Sequence, residues 1–151
     1  VIALDVLRCL RKFNSHRTVA GAMTDILSTV GPDCEAGSGV LLRRWEELVE
    51  EGDLLISGSD DAAQAASAKY ADELARTVMA TLLFDLADHG IRHGNGYRSL
   101  LVANSYLAGL AGKVPSAALG NLDVITDGGD VELDDARDVV AEFLSVARVH
   151  Q

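Results

Sequence analysis

The chain has 151 residues, 48% of them hydrophobic and 24% charged, which suits one domain with its own core and not a disordered chain. A net charge of −10 with no basic stripe argues against nucleic-acid binding, which needs Lys and Arg to displace phosphate counterions. Anionic membrane surfaces are disfavoured for the same reason, and no signal-peptide pattern or apolar run of membrane-spanning length is read.

Aromatic residues make up only 5% of the chain, so the core must come mainly from Leu, Val and Ala. The two prolines leave room for long helices. Val1 to Phe13 carries Ala3, Val6, Leu7, Leu10 and Phe13 at helical spacing, with Asn14-Ser15 as a stop. His16 to Val30 repeats the pattern with Val19, Met23, Ile26, Leu27 and Val30. Ser15 is the expected N-cap, and Gly31-Pro32 the stop. A loop is expected over Asp33 to Gly39, followed by a helix from Val40 to Glu51 with Leu41, Trp45, Leu48 and Val49 on one face. Arg43 and Glu47 on its polar face are an i,i+4 pair.

Gly52 to Ser59 reads as a connection, and Asp60 as the cap of the longest helix, Asp61 to His89. The first half of that helix is rich in Ala, and its second half is apolar nearly all round, the mark of a central helix buried on most sides. Gly90 to Gly96 is expected to break it, and a fifth helix spans Tyr97 to Ala111. Residues 116–132 read as a loop, closing on Asp127-Gly128-Gly129-Asp130, before a last helix from Leu133 to Val149. No stretch alternates with period two. The expected fold is all-α, a single domain over 1–151 forming an antiparallel bundle of five to six helices.

The chemistry-bearing residues are sparse. Cys9 and Cys34 make no disulfide framework, which favours a cytoplasmic setting, and Cys9 reads as a small core residue. His89 and His93 have i,i+4 spacing, but Gly90 is expected to end the helix between them, and no third metal ligand lies nearby in sequence. The acidic run Asp123 to Asp135 departs from a calcium loop at Ile125 and is better read as a capped helix start. Gly94-Asn95-Gly96-Tyr97-Arg98-Ser99 follows a helix and not a strand, so it is no dinucleotide loop.

The segment Val-Ile-Ala-Leu-Asp-Val-Leu-Arg-Cys-Leu-Arg-Lys, residues 1–12, resembles the stretch that follows the aromatic–Glu–Gly–Thr/Ser–x–Asn motif of the acyl-CoA dehydrogenase family. It is most similar to the alkylation-response branch, where Leu-Asp-Val-Leu-Arg recurs. Glu73 to Gly90 resembles the long helix of that branch's C-terminal domain. The resemblance implies a parent flavoprotein that binds FAD, oxidises an acyl-CoA-like substrate and assembles as a homo-oligomer through its C-terminal helices. It also implies that the catalytic base lies upstream, so that this chain carries no catalytic residue. A start at Val1, inside a helical pattern, fits such a piece. Many members carry Gln where Ile2 stands, and Ile2 cannot make that hydrogen bond to flavin. Asp5 and Arg8 are then the polar groups nearest the implied cofactor site. The branch has been associated with DNA, and the charge of −10 weighs against carrying that role over. The alternative is a non-enzymatic helical interaction module.

Lys12, Lys69 and Lys113 are the only lysines, and the remaining basic residues are Arg. An acidic, Asp-rich, Lys-poor chain fits either a salt-rich cytoplasm or a high-GC genome. Melting the protein in low and in high salt separates the two: adaptation to salt predicts a melting temperature that climbs with salt, and a flat response removes it.

Overall fold

The structure is a computed structural model, and it describes residues 2–110. The described residues form five α-helices and one 3₁₀ turn, with no strand. They are α1 (Ile2–Phe13), α2 (Ser15–Ser28), a 3₁₀ turn (Pro32–Cys34), α3 (Glu35–Ser57), α4 (Asp60–Arg92) and α5 (Arg98–Leu110). The all-helical bundle expected from the sequence is what these residues form. The expected loop over 116–132, its acidic turn and the last helix from Leu133 lie outside the described residues.

α1 and α2 are separated by one residue. Asn14 takes φ 47° and ψ 39°, the left-handed region that Asn tolerates better than most residues. Its N–H donates to the Leu10 carbonyl at 3.0 Å, and its own carbonyl accepts from Arg17 N–H at 3.0 Å. Asn14, and not Ser15, is therefore the N-cap position of α2, and its side chain makes no capping bond. Leu7 and Leu10 of α1 enter the core, whereas Phe13, placed on the apolar stripe by its spacing, is 60% exposed, with Lys12 over its ring at 5.1 Å.

α3 is about twice the length expected from the sequence. Residues 35–39 and 52–57, read as loop and connection, are helical. Both contain glycines that weaken a helix by about 0.5–1 kcal/mol each relative to Ala, and two of the three, Gly37 and Gly52, sit where another element comes too close for a Cβ, while Gly39 has open space. A Cβ on Gly37 would fall on the edge of the Phe84 ring. One on Gly52 would lie 2.7 Å from His16 Cδ2 and 2.7 Å from Tyr70 Oη. Gly37 and Gly52, read as breakers, are points of close helix approach.

α4 is the centre of the bundle and touches each of the other four helices. Register follows from specific pairs. Gly37 meets Phe84, Trp45 meets Thr81 and Tyr70 meets Leu48, so α3 runs antiparallel to α4. Arg11 pairs with Asp60 at 2.8 Å while Val6 and Leu74 share a cleft, so α1 is antiparallel as well. Tyr106 reaches Met79, and Ser99 lies beside Gly90, which sets α5 antiparallel. α2 runs parallel to α4, with His16 near Tyr70 and Gly31 bonded to Asp88.

Three sequence expectations for α4 change. Ser59 occupies the N-cap position, and Asp60 opens the first turn, where its charge suits the helix dipole. Gly90 is buried inside the helix, which continues to Arg92. The buried face carries Ala80, Thr81, Phe84 and Ala87, while Met79, Leu82 and Leu86 are 54%, 47% and 56% exposed. The near-continuous apolar run is thus not buried all round within residues 2–110.

At the core, Trp45 and Phe84 are the largest fully buried side chains. The indole N–H of Trp45 donates to Thr81 Oγ1 at 3.0 Å, which satisfies a donor that would be costly to bury alone. Replacing Thr81 with Val keeps the shape and removes the acceptor. Urea unfolding of Thr81→Val should show a loss of about 1–3 kcal/mol at unchanged m-value, and a loss near zero would mean the bond contributes nothing net.

Candidate functional site

The described residues bring together one polar centre that sequence reasoning missed. His16 stands in the first turn of α2 and is 1% exposed. Its Nε2 lies 3.0 Å from Asp53 Oδ1, near the end of α3. Arg17, next in sequence and exposed, grips the same carboxylate through Nη2 on Oδ2 and through Nε on Oδ1 at 3.3 Å. The hydrogen bond from His16, aided by Arg17, holds the Asp53 carboxyl below its ordinary value of 3.8, against the opposing effect of desolvation. A carboxylate only accepts hydrogen bonds, so Nε2 must be the protonated ring nitrogen. Its other nitrogen, Nδ1, is buried and has no hydrogen-bond partner among the described residues.

The ring is oriented by its neighbours. Its Cγ–Cδ2 edge lies over Gly52 and its Nε2 on Asp53, both in α3. His16 also lines a cleft of about 350 Å³ enclosed by α1, α2 and α4, with its Nδ1 closed off from solvent. Val6, Leu10, Val19 and Leu74 give that cleft apolar walls, and Asp5, Cys9, Ser15 and Tyr70 line it with His16. Tyr70 donates its hydroxyl to the Leu48 carbonyl at 2.9 Å. Burial, with the Glu51 and Asp53 carboxylates nearby, pushes its pKa up to about 12.

Asp5 and Arg8, singled out by the resemblance, form an i,i+3 pair at 3.8 Å with side chains 62% and 75% exposed. Such a pair contributes little to stability. Asp5 lines the cleft, and Arg8 does not. Cys9 is exposed, not a core residue. It lines the same cleft as His16, but no hydrogen bond joins the two among the described residues, so no thiol–imidazole relay is assembled. Cys34 is the buried cysteine. Burial first, then the Asp88 and Asp33 carboxylates, push its thiol up to about 11, which keeps it protonated and inert.

The His89–His93 pair stays on one helical turn after all, because Gly90 does not end α4. The rings stack at 4.0 Å, and His93 Nδ1 donates to the His89 carbonyl at 2.7 Å. Among the described residues no group of three or more His, Cys, Asp or Glu side chains could hold a metal ion, and no helix is long and apolar enough to cross a membrane.

A second cluster is structural. Arg44, not Arg43, takes Glu47, at 2.9 Å, and also binds Glu51 at 2.9 Å and Glu73 at 2.8 Å. Burial works against its charge, but the hydrogen bonds it donates to those three carboxylates prevail and raise its pKa. With both terminal nitrogens of its guanidinium engaged, Arg44 joins α3 to α4.

The depressed pKa of Asp53 has a definite sign. It adds stability at pH values above its unfolded value and loses it as the pH falls through the folded value. Asp53→Asn should therefore melt below wild type by a constant margin above about pH 5, and the two should converge as the pH drops below 3.8. A margin that persists in acid would assign the effect to shape and not to charge.

Compared with protein-family models, with curated proteins and with solved structures, the chain finds no match in any of the three.

Proposed function

We propose that this chain is the C-terminal helical packing and assembly domain of an FAD-dependent, acyl-CoA dehydrogenase-like oxidoreductase of the cytoplasm. FAD, the acyl-CoA-like substrate and the catalytic base then belong to the rest of the parent flavoprotein, and these residues supply a rigid helical support. The observation that carries this reading is a contact. The two stretches on which the resemblance rests, residues 1–12 and Glu73–Gly90, belong to α1 and α4, two helices that pack on each other, and Leu7 and Leu10 of α1 are buried. They form one physical unit.

The exposed line on α4 supports an assembly role. Met79, Leu82 and Leu86 recur at spacings of three and four, which places them on one face of the helix. An exposed line of large apolar side chains marks a surface meant to be covered. A second copy presenting the same helix would cover it through an isologous contact, the commonest arrangement of homo-oligomers.

Light scattering on the full 151-residue chain across a concentration series tests assembly. Self-association is expected, and Leu82→Glu should weaken it about tenfold or more, since the contact would bury that position twice, with helix content unchanged. A monomer at every concentration sinks the assembly reading. Flavin is tested separately: the coding sequence upstream of Val1 should carry the aromatic–Glu–Gly–Thr/Ser motif, and the parent protein should show a flavin spectrum. A parent without flavin would favour the non-enzymatic interaction module.

A further inference from the structure

We propose that α4 carries an antiparallel coiled-coil seam, on which a second copy of this chain docks with Asp72 beside the partner's His89. This rests on the assembly reading above and adds to it an orientation and a register.

The seam is a repeat that runs past the three large side chains. From Met79, Leu82 and Leu86 the same alternation of three and four residues continues back through Ala75, Asp72 and Ala68, and forward to His89. Every one of these positions is exposed among the described residues. The opposite face of α4, with Ser67, Thr77, Thr81 and Phe84, is the one buried in the bundle. A helix with an apolar line at heptad spacing pairs with a like helix by knobs-into-holes packing.

Orientation follows from the chemistry along the line. In a parallel pair each residue meets its own copy. Asp72 would then face Asp72, and Ala75 would face Ala75 across an unfilled gap. In an antiparallel pair the line runs against itself. One register sets Met79 against the partner's Leu82 and the small Ala75 against the partner's large Leu86. The same register brings Asp72 to the partner's His89, and symmetry makes the contact twice. An imidazole can donate to a carboxylate whether it is neutral or charged. Asp72 also accepts from Arg76 at 2.9 Å, and a carboxylate has room for both donors. The neighbouring registers, one heptad away, are worse matched. One sets Asp72 on the partner's Leu82, and the other sets Met79 on the partner's His89. Charge and size thus select a single arrangement.

Spin labels on the full chain test it, with Cys9, which is exposed, replaced by Ser and Cys34 left buried. The label is attached through Ala68→Cys. The antiparallel register places position 68 opposite the partner's position 93. The two labels then stand twenty-five residues apart along the axis, at about 1.5 Å per residue, and about 10 Å across it, which gives about 40 Å. A dimer with a clearly different separation, about 10 Å for parallel helices, would overturn the inference and leave assembly intact. Asp72→Asn supplies a second measurement. It should weaken self-association about two- to fivefold, whereas a parallel pair would be strengthened by losing its facing charges. Unchanged or stronger association would remove the Asp72–His89 contact. A chain that stays monomeric sinks the assembly reading itself, and this inference with it. If Leu82→Glu lowers the melting temperature of that monomer, the seam is covered by another part of the same chain.

Discussion

The closeness of α3 to α4 is the constraint on which the rest of this bundle depends. Gly37 lies against the Phe84 ring, and Gly52 against Tyr70 and His16. Between these two points the Trp45 indole is buried and bonded to Thr81. A Cβ at either glycine would push the helices apart and open space around the tryptophan, and interiors tolerate such gaps poorly. The same closeness explains why the buried face of α4 is built mostly from Ala, Ser, Thr and Gly, with Tyr70 and Phe84 as its two large side chains. Small residues permit approach, and the large leucines are left to face outward.

An acidic chain must place its few cations with care. Arg11 joins α1 to the start of α4, Arg17 joins α2 to α3, Arg44 joins α3 to α4, and Arg92 holds both Asp88 and the Thr29 carbonyl at the end of α2. Each bridges elements, and each is arginine. A planar guanidinium can hold two or three partners at once, which a lysine ammonium does less specifically. Asp88 is the counterpart on the acidic side: it also accepts the Gly31 N–H at 2.8 Å, fixing the turn into the 3₁₀ segment. Most of these pairs are surface contacts of small individual worth. Their value lies in register, since each defines which turn of one helix meets which turn of the next.

Two features are opposite in kind. The line Met79, Leu82, Leu86 is apolar surface without cover among the described residues, and His16 Nδ1 is polar interior without a partner among them. Among the described residues, both depart from the usual rule of apolar groups inside and buried polar groups satisfied. They lie at different heights of α4, His16 near Tyr70 and the apolar line from Met79 onward.

Much of the fold was legible from periodicity. Leu7 and Leu10 of the first helix, and Leu41, Trp45 and Leu48 of the third, fall on inward faces by spacing alone, and all are buried. The helix count among residues 2–110 and the central place of the longest helix also followed from the hydrophobic pattern, because burial of an apolar face drives helix formation in water. Three things were decided only by tertiary structure. Gly37, Gly52 and Gly90 read as breakers, because intrinsic propensity disfavours glycine in helices, yet close packing against neighbouring elements outweighs that small cost at Gly37 and Gly52. Phe13, Met79, Leu82 and Leu86 read as core, because spacing identifies a face but not what lies opposite it. The His16–Asp53 pair spans 37 positions, and no local pattern links an imidazole to a carboxylate on another helix. Only the packing of α2 on α3 creates that pair, and with it a buried Nδ1 that has no hydrogen-bond partner among the described residues.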